Sequence, residues 1–294
     1  MSDLLFQILD RELPTVPKNV VEIIKILQEP HSADIQEITA AVKKSRVLTK
    51  TILDMLNTGY FGIVRRIDSL ETAVLMIGMD SLRYIILGVI IKMMFNKREA
   101  VRSVSQEAFL RHCIGTAIAA QELCQISKEY ESCDLYKLLI YGMVHDIGIL
   151  ALDYCMPFTL NRIHNLAKEE RIPILRAEAK IFGKLTHDVV GHWVCERWHL
   201  PQDIAQVVRY HHSPRLTEDF QPEVVLLYIA DMISTSYYDS LLENEFDYKV
   251  DQKMLELLGL TEMDVEAVRN SLPARVDKAL RAVNFNALDQ ANFD

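Results

Sequence analysis

The sequence predicts an all-α, multi-helical protein, and three observations carry that prediction. Gly and Pro number only 10 and 9 among 294 residues, below the ~12% of an average chain, so turns are few and the elements between them long. Apolar residues recur at i, i+3, i+4 and i+7, the period of an amphipathic helix rather than the alternation of a strand. Ser or Asp before these runs, and Gly, Asn or Pro near them, supply helix start and stop signals. The expected organisation is an N-terminal helical bundle over residues 1–104, packed on a second helical unit over 105–240. A C-terminal helical extension follows over 241–294.

The elements follow in order. Leu13-Pro14-Thr15-Val16-Pro17 is an extended entry, because the residue before each Pro is pushed out of the helical region. Val20, Ile23, Ile24 and Leu27 form an amphipathic stripe stopped by Pro30. Asp34 and Glu37 have capping-box spacing and open a helix carrying Ile35, Ile38 and Val42. Leu48, Ile52, Leu53 and Leu56 mark the next, which ends near Asn57-Thr58-Gly59. Ser69 caps a helix that stops at Gly78, and Asp80 caps the long one after it. Further helices are expected at about 105–126, 134–154, 157–170, 173–182, 186–197, 201–212 and 222–240, with several short ones beyond 250. The polar tail from Asn284 to Asp294 is expected to fray.

Composition narrows the function. Hydrophobic residues make up 50% of the chain and charged ones 25%, as in ordinary globular proteins. A net charge of −9 argues against nucleic acid as a partner, since that surface needs a basic face. Lys43-Lys44-Arg46-Lys50 and Arg65-Arg66 read as solvated faces. The five cysteines (113, 124, 133, 155 and 195) show no CxxC pair, and no secretory signal opens the chain. Free thiols in a cytoplasmic protein are the expectation. The most apolar stretch, Tyr84 to Phe95, falls short of the ~20 residues of a membrane span, so no membrane partner is expected.

The chemistry-bearing residues are histidines and aspartates on apolar faces. His211 shares a helical stripe with Ile204, Val207 and Val208, and Asp231 one with Val224, Leu227 and Tyr228. His187 lies with Gly183, Val190, Gly191 and Val194, and His112 with Ala108, Gly115 and Ala119. Each points inward, where an unpaired carboxylate is costly. His145 and Asp146 are adjacent on the expected 134–154 helix, about 100° apart, flanked by Gly142 and Gly148 that permit close helix approach. His112, His145, Asp146, His187, His211, His212 and Asp231 are therefore candidate ligands of one metal site. Imidazole and carboxylate without thiolate suit divalent Fe, Mn, Ni or Zn, with Asp146 able to bridge two ions. His192, five residues past His187, points about 140° away. His31, His164 and His199 sit near helix ends, and Cys113 reads as a packed thiol. Glu178 is a residue that could reach the site across the Phe182-Gly183 turn.

Several segments resemble a known family. Met143-Val144-His145-Asp146-Ile147-Gly148 is similar to the HD signature of HD phosphohydrolases. Leu13-Pro14…Pro17, Asn57-Thr58…Tyr60-Phe61-Gly62 and Ser69-Leu70-Glu71-Thr72-Ala73…Ile77-Gly78-Met79 resemble the HDOD domain, a signalling relative of those enzymes. So do Gly183…His187-Asp188-Val189-Val190-Gly191, Trp198-His199-Leu200-Pro201 and His211-His212-Ser213-Pro214. The resemblance covers about residues 8–240. Ser45-Arg46 departs from it, standing where the family often has Asp-Pro at a helix start. By the resemblance, 105–240 is an HD-like subdomain in which His112, His145, Asp146 and Asp231 match the HD ligand set. His187, His211 and His212 match the added ligands of HD-GYP cyclic-dinucleotide phosphodiesterases, with Asp146 bridging two metals.

The resemblance implies a bacterial signal-transduction regulator that keeps an HD-like metal site and acts through protein partners. The alternative is a metal-dependent phosphohydrolase acting on a nucleotide, cyclic dinucleotide or other phosphoester. Arg111 and Arg209 are candidates for holding phosphate. Two departures favour the non-catalytic reading. The GYP loop is missing, since only Ser213 to Gln221 separates the paired histidines from the helix of Asp231. The carboxylate that some HD-GYP enzymes place one turn before the first histidine is Ala108 here.

Overall fold

The computed structural model describes residues 2–28, 35–58, 63, 65–94, 106–130, 134–218, 221–241 and 249–282. The fold is all-α, with no strand among the described residues. The first half contains α1 (Ser2–Glu12), α2 (Lys18–Gln28), α3 (Ile35–Lys43), α4 (Arg46–Leu56), α5 (Leu70–Ile77) and α6 (Met79–Met94). The second contains α7 (Gln106–Ile126), α8 (Leu135–Val144), α9 (Ile147–Cys155), α10 (Pro157–Glu170), α11 (Ile174–Phe182), α12 (His187–Arg197), α13 (Gln202–Tyr210) and α14 (Gln221–Leu241). Two helices follow, α15 (Gln252–Leu257) and α16 (Glu262–Ala282). The expected unit boundaries near 104 and 241 adjoin segments 95–105 and 242–248, which lie outside the described residues, as do Asp34, His31 and the tail from 283.

The helical stripes became the core. Val20, Ile23, Ile24, Leu48, Ile52, Leu56, Ile204, Val207, Val208, Val224 and Leu227 are all buried in one continuous apolar cluster. It runs from the N-terminal helices through α6, which packs on α8, to α7, which α8, α14 and α16 surround. Helix α1 reaches across to α9, and its Phe6 ring lies 5.4 Å from that of Trp193 on α12.

Local signals account for several boundaries. Ser45 takes the N-cap of α4, accepting the Leu48 N–H at 3.2 Å, so its hydroxyl performs the cap that Asp would. Ser69 caps α5 in the same way through the Thr72 N–H, and Gly78 ends it at φ +83, where a side chain would be strained. His199 adopts φ +54 at the close of α12, letting the Leu200 N–H reach back to Cys195 O at 2.8 Å.

Four expectations need correction. Helix α6 begins at Met79, so Asp80 lies in its first turn rather than at the cap. The predicted 134–154 helix is broken at His145 and Asp146 into α8 and α9. Beyond 250 the chain forms one short helix and one of 21 residues that runs through Pro273. Cys113, Cys155 and Cys195 are free thiols as expected, but Cys124 is disulfide-bonded. By length and composition the stretch Leu135–Cys155 is apolar enough to cross a membrane, yet 67% of that window is buried inside the fold.

Candidate metal centre

Four segments converge where α7, α8–α9, α12–α13 and α14 meet. The two-residue break between α8 and α9 sets the geometry. His145 still donates its backbone N–H to Tyr141 O at 2.9 Å, as in a helix. Asp146 then turns to φ −95, ψ 25, the sparsely populated bridge region where site residues often sit. The pair is thereby lifted out of the helical phase assumed from the sequence, and both side chains face the same interior point.

Close packing brings the opposing helices to that point. A methyl group at Gly148 would meet His187 O at 1.9 Å, and one at Gly142 would meet the Ala117 backbone at 2.4 Å. Both glycines permit backbone approach that a Cβ forbids, as their position beside the His-Asp pair suggested. Gly191 faces Gly148 across the same α9–α12 contact.

Asp146 is the hub. Its Oδ2 lies 3.2 Å from His112 Nε2 and 3.3 Å from His145 Nε2. Its Oδ1 lies 3.2 Å from His187 Nε2 and 3.5 Å from His211 Nε2. Asp231 approaches from α14, with Oδ1 3.3 Å from His112 Nε2 and 3.7 Å from His145 Nε2, and Oδ2 3.4 Å from His212 Nδ1. His187 and His212 face each other through their Nε2 atoms at 2.8 Å. All seven residues expected from the sequence are thus brought together. They divide into overlapping groups: His112, His145 and Asp146; Asp146, His187, His211 and His212; and His145, His211 and Asp231.

The outer nitrogens of three rings are already engaged. His145 Nδ1 lies 2.9 Å from Gly142 O, His211 Nδ1 2.9 Å from Val208 O, and His187 Nδ1 2.9 Å from Glu178 Oε1. An Nδ1–H given to each acceptor leaves each Nε2 with a lone pair aimed inward, the tautomer that metal-binding histidines hold. Lone pairs and two carboxylates pointing at one another repel, so the arrangement calls for positive charge. Two atoms show the need directly: buried Asp146 Oδ1 and buried His211 Nε2 have no hydrogen-bond partner. Such orphans are rare unless an ion or water satisfies them, and both belong to the group of Asp146, His187, His211 and His212. The donor set fits divalent ions of the Fe, Mn, Ni or Zn type.

Without a cation, protons would have to serve. Burial opposes charge on His145, but Asp146 and Asp231 overcome it and push its pKa up to about 10. Burial likewise disfavours ionised Asp146 and Asp231, but the surrounding histidines hold both well below the usual carboxylate range.

Support extends one layer out. Glu178, wholly buried on α11, accepts both the His187 ring and the His187 backbone N–H (3.0 Å). The sequence had marked it as able to reach the site, and it does so as the group that orients His187. Its i+4 spacing to buried Phe182 is the local signal. The His112 carbonyl accepts Thr116 and Ser234, both at 3.0 Å, pinning α7 to α14. Thr235 donates to Asp231 Oδ1 at 3.0 Å.

The excluded residues stay out of the cluster. His192 lies 3.3 Å from Ala205 O, and neither His164 nor His199 joins a ligand group. Cys113 is buried and its thiol is pushed up by burial and then by Asp146 and Asp231, so it stays a packed thiol. The two candidate phosphate-holding arginines are engaged elsewhere: Arg209 with Asp188 at 2.5 Å and Arg111 with Asp277 at 2.8 Å. His112 and His212, with side chains 16% and 19% exposed, form the open side of an otherwise buried cluster.

Comparison with known proteins shows what this fold is similar to. An HDOD domain solved from Geobacter sulfurreducens, of unknown function, aligns over 97% of this chain and 98% of its own, with TM-score 0.69 and 22% identity. A Marinobacter aquaeolei structure, named for a proposed role in signal transduction, gives TM-score 0.76 at 17% identity over 98% of this chain and 66% of its own. A proposed phosphohydrolase from Shewanella amazonensis gives TM-score 0.68 at 17% identity, over 94% of this chain and 97% of its own. At these identities the likeness concerns the fold. An uncharacterized Treponema pallidum protein is 23% identical over 225 residues, 75% of this chain, which spans only 42% of that relative's length. The HDOD domain model matches residues 13–214, which include every candidate ligand but Asp231, and the chain belongs to the HDOD family.

Proposed function

We propose that this protein is a cytoplasmic regulatory module of bacterial signalling, built around an HD-type centre for two divalent metal ions and acting through association with protein partners. The observation that carries the metal reading is the orphaned pair Asp146 Oδ1 and His211 Nε2 inside a cage of seven inward-facing ligands. His112, His145, Asp146 and Asp231 would hold one ion, and Asp146, His187, His211 and His212 the other. A regulatory rather than hydrolytic role is supported by the state of the nearby cations. Arg209 and Arg111, the basic residues expected to clamp a phosphoryl group, are each engaged by an aspartate. The loop that hydrolytic cousins insert after the paired histidines is absent from the sequence.

One observation favours a second reading, metal-dependent phosphoester hydrolysis. The ligand set is nearly complete, and the His112 and His212 side gives it access to solvent. When bound, such ions activate water and neutralise phosphoryl charge. The chain's own residues would position the ions, Asp146 bridging and Glu178 fixing the His187 ring.

Metal analysis of the purified chain, followed by assays on cyclic dinucleotides, nucleoside phosphates and a generic phosphodiester with added Mn or Fe, separates the two. Metal retention without turnover is the expected result. Hydrolysis that disappears in His145→Ala and Asp146→Asn would overturn the regulatory reading in favour of the enzyme.

A further inference from the structure

The basic clusters that read from the sequence as solvated faces are not scattered. Helix α4 turns Arg46, Thr49, Lys50, Leu53, Asp54 and Asn57 along one stripe, at i, i+3, i+4, i+7, i+8 and i+11. That stripe floors a cavity of about 560 Å³. Lys43 at the end of α3 and the segment Arg66-Ile67-Asp68 also line it. The volume lies in the ~300–1,000 Å³ range of small-molecule sites.

The walls are fixed by their own hydrogen bonds. Asn57 at the end of α4 donates to Leu53 O and to Ile67 O, and accepts the Ile67 N–H, all three at 2.7 Å. The two-way grip holds buried Ile67 against α4, so its neighbours Arg66 and Asp68 are presented from an anchored backbone.

Charge inside the cavity is unevenly satisfied. Lys43 pairs with Glu71 at 2.8 Å and Lys50 with Asp54 at 2.6 Å. Asp68 accepts the Thr72 hydroxyl at 3.2 Å. Arg46 and Arg66 both line the cavity, both exposed, and neither pairs with a carboxylate among the described residues. In a chain of net charge −9, two such guanidiniums facing one concavity are poised for an anion. Guanidinium binds phosphate oxygens in bidentate fashion. Leu53 offers an apolar surface, and Asp54 and Asp68 offer acceptors to hydroxyl or amino groups.

We infer that this cleft is a second ligand site, distinct from the histidine centre, and that it takes a phosphate-bearing small molecule of nucleotide size. Arg46 and Arg66 hold the phosphates, and the nucleoside lies along Leu53 with its polar edge at Asp54 and Asp68. The site stands independently of whether the histidine cluster binds metal.

Calorimetric titration of the full chain with ATP, GTP and inorganic pyrophosphate tests the assignment. Saturable binding is expected, tighter for one of the nucleotides than for pyrophosphate, and weakening as salt is raised. Arg46→Ala/Arg66→Ala should weaken it at least about tenfold, since charge-assisted hydrogen bonds are lost. The Arg46→Lys/Arg66→Lys protein should fall between, keeping charge without the bidentate fork. Both arginines are exposed, so circular dichroism of these variants should match that of the parent. Failure of all three ligands to bind, or unchanged binding in the double-alanine variant, overturns the inference. So does binding that is lost in Asp146→Asn instead, which would place the ligand at the histidine centre. Displacement of bound nucleotide by a tighter-binding acidic peptide would make the cleft a protein-docking groove and also refute it.

Discussion

Substituting Gly148 by alanine should dismantle one half of the histidine centre while leaving the other standing. The added Cβ would sit 1.9 Å from His187 O and 2.8 Å from Gly191 N, all backbone atoms that no rotamer change can move aside. Ordinary contact needs ~3.5 Å, so α12 must retreat from α9 by roughly 1.5 Å. Overpacking of this kind costs about 1–3 kcal/mol, and rigid backbone on both sides puts this case at the upper end. The retreat carries His187 away from Asp146 Oδ1, from which it now stands 3.2 Å. His112, His145 and Asp231 lie on α7, on the α8 side of the break and on α14, and are not displaced directly. Metal content by mass spectrometry should therefore fall from two equivalents to about one, with a lowered melting temperature in the same protein. Two equivalents retained at parental stability would refute the claim that the α9–α12 contact positions the second group of ligands.

Other expectations follow from neighbouring geometry. Glu178→Gln removes the charge that orients His187, and loss of such a partner typically lowers metal affinity by ~10–100-fold; competitive chelator titration reads this, with circular dichroism unchanged. Asp203 accepts Tyr84 and Tyr141 hydroxyls at 2.5 and 2.7 Å and lies 3.3 Å from Lys137, joining α6, α8 and α13. Asp203→Ala removes the acceptor of both hydroxyls while Lys137 keeps Glu223 at 3.5 Å, and urea denaturation should show a loss of about 1–3 kcal/mol. Asn57→Ala gives up both grips on Ile67 and should cost about 1–3 kcal/mol in the same assay. In chelator-treated protein, Asp146 and Asp231 are depressed below 3.8, so their stabilisation is present above that value and lost as pH falls further. His145 is raised from 6.5 to about 10, so its share is full below 6.5 and lost as pH rises through 10. Thermal melts of the metal-free protein should therefore weaken from pH 6 to pH 10, whereas metal-loaded protein should resist that rise because the ions replace the protons.

Much of this arrangement could be read from the chain because helical phase is local. Stripes such as Ile204, Val207 and Val208 put His211 inward, and Val224, Leu227 and Tyr228 did the same for Asp231, before any tertiary contact was known. Glycine beside the His-Asp pair announced close helix approach, and Gly142 and Gly148 both require it. What escaped was set by distant contacts. The apolar run from Leu138 to Leu152 contains no Pro to stop a helix, so the break at His145-Asp146 left no local mark. The near-continuous period through Pro273 is held by α16 packing on α7 and α14, which outweighs the usual breaking effect of an internal Pro. The cleft over α4 was also invisible as a cleft. Its stripe is polar, and the Arg66-Ile67-Asp68 wall is brought to it by the single side chain of Asn57.

The central claim is that Asp146 bridges two metal ions held by seven named ligands. Anomalous diffraction from crystals of protein reconstituted with Mn, Fe, Ni or Zn tests it most directly. Two peaks are predicted, one among His112, His145 and Asp231 and one among His187, His211 and His212, with Asp146 between them. No peak at this cluster with any of the four metals, in protein that remains folded, would contradict it and leave the histidines as a proton-sharing network.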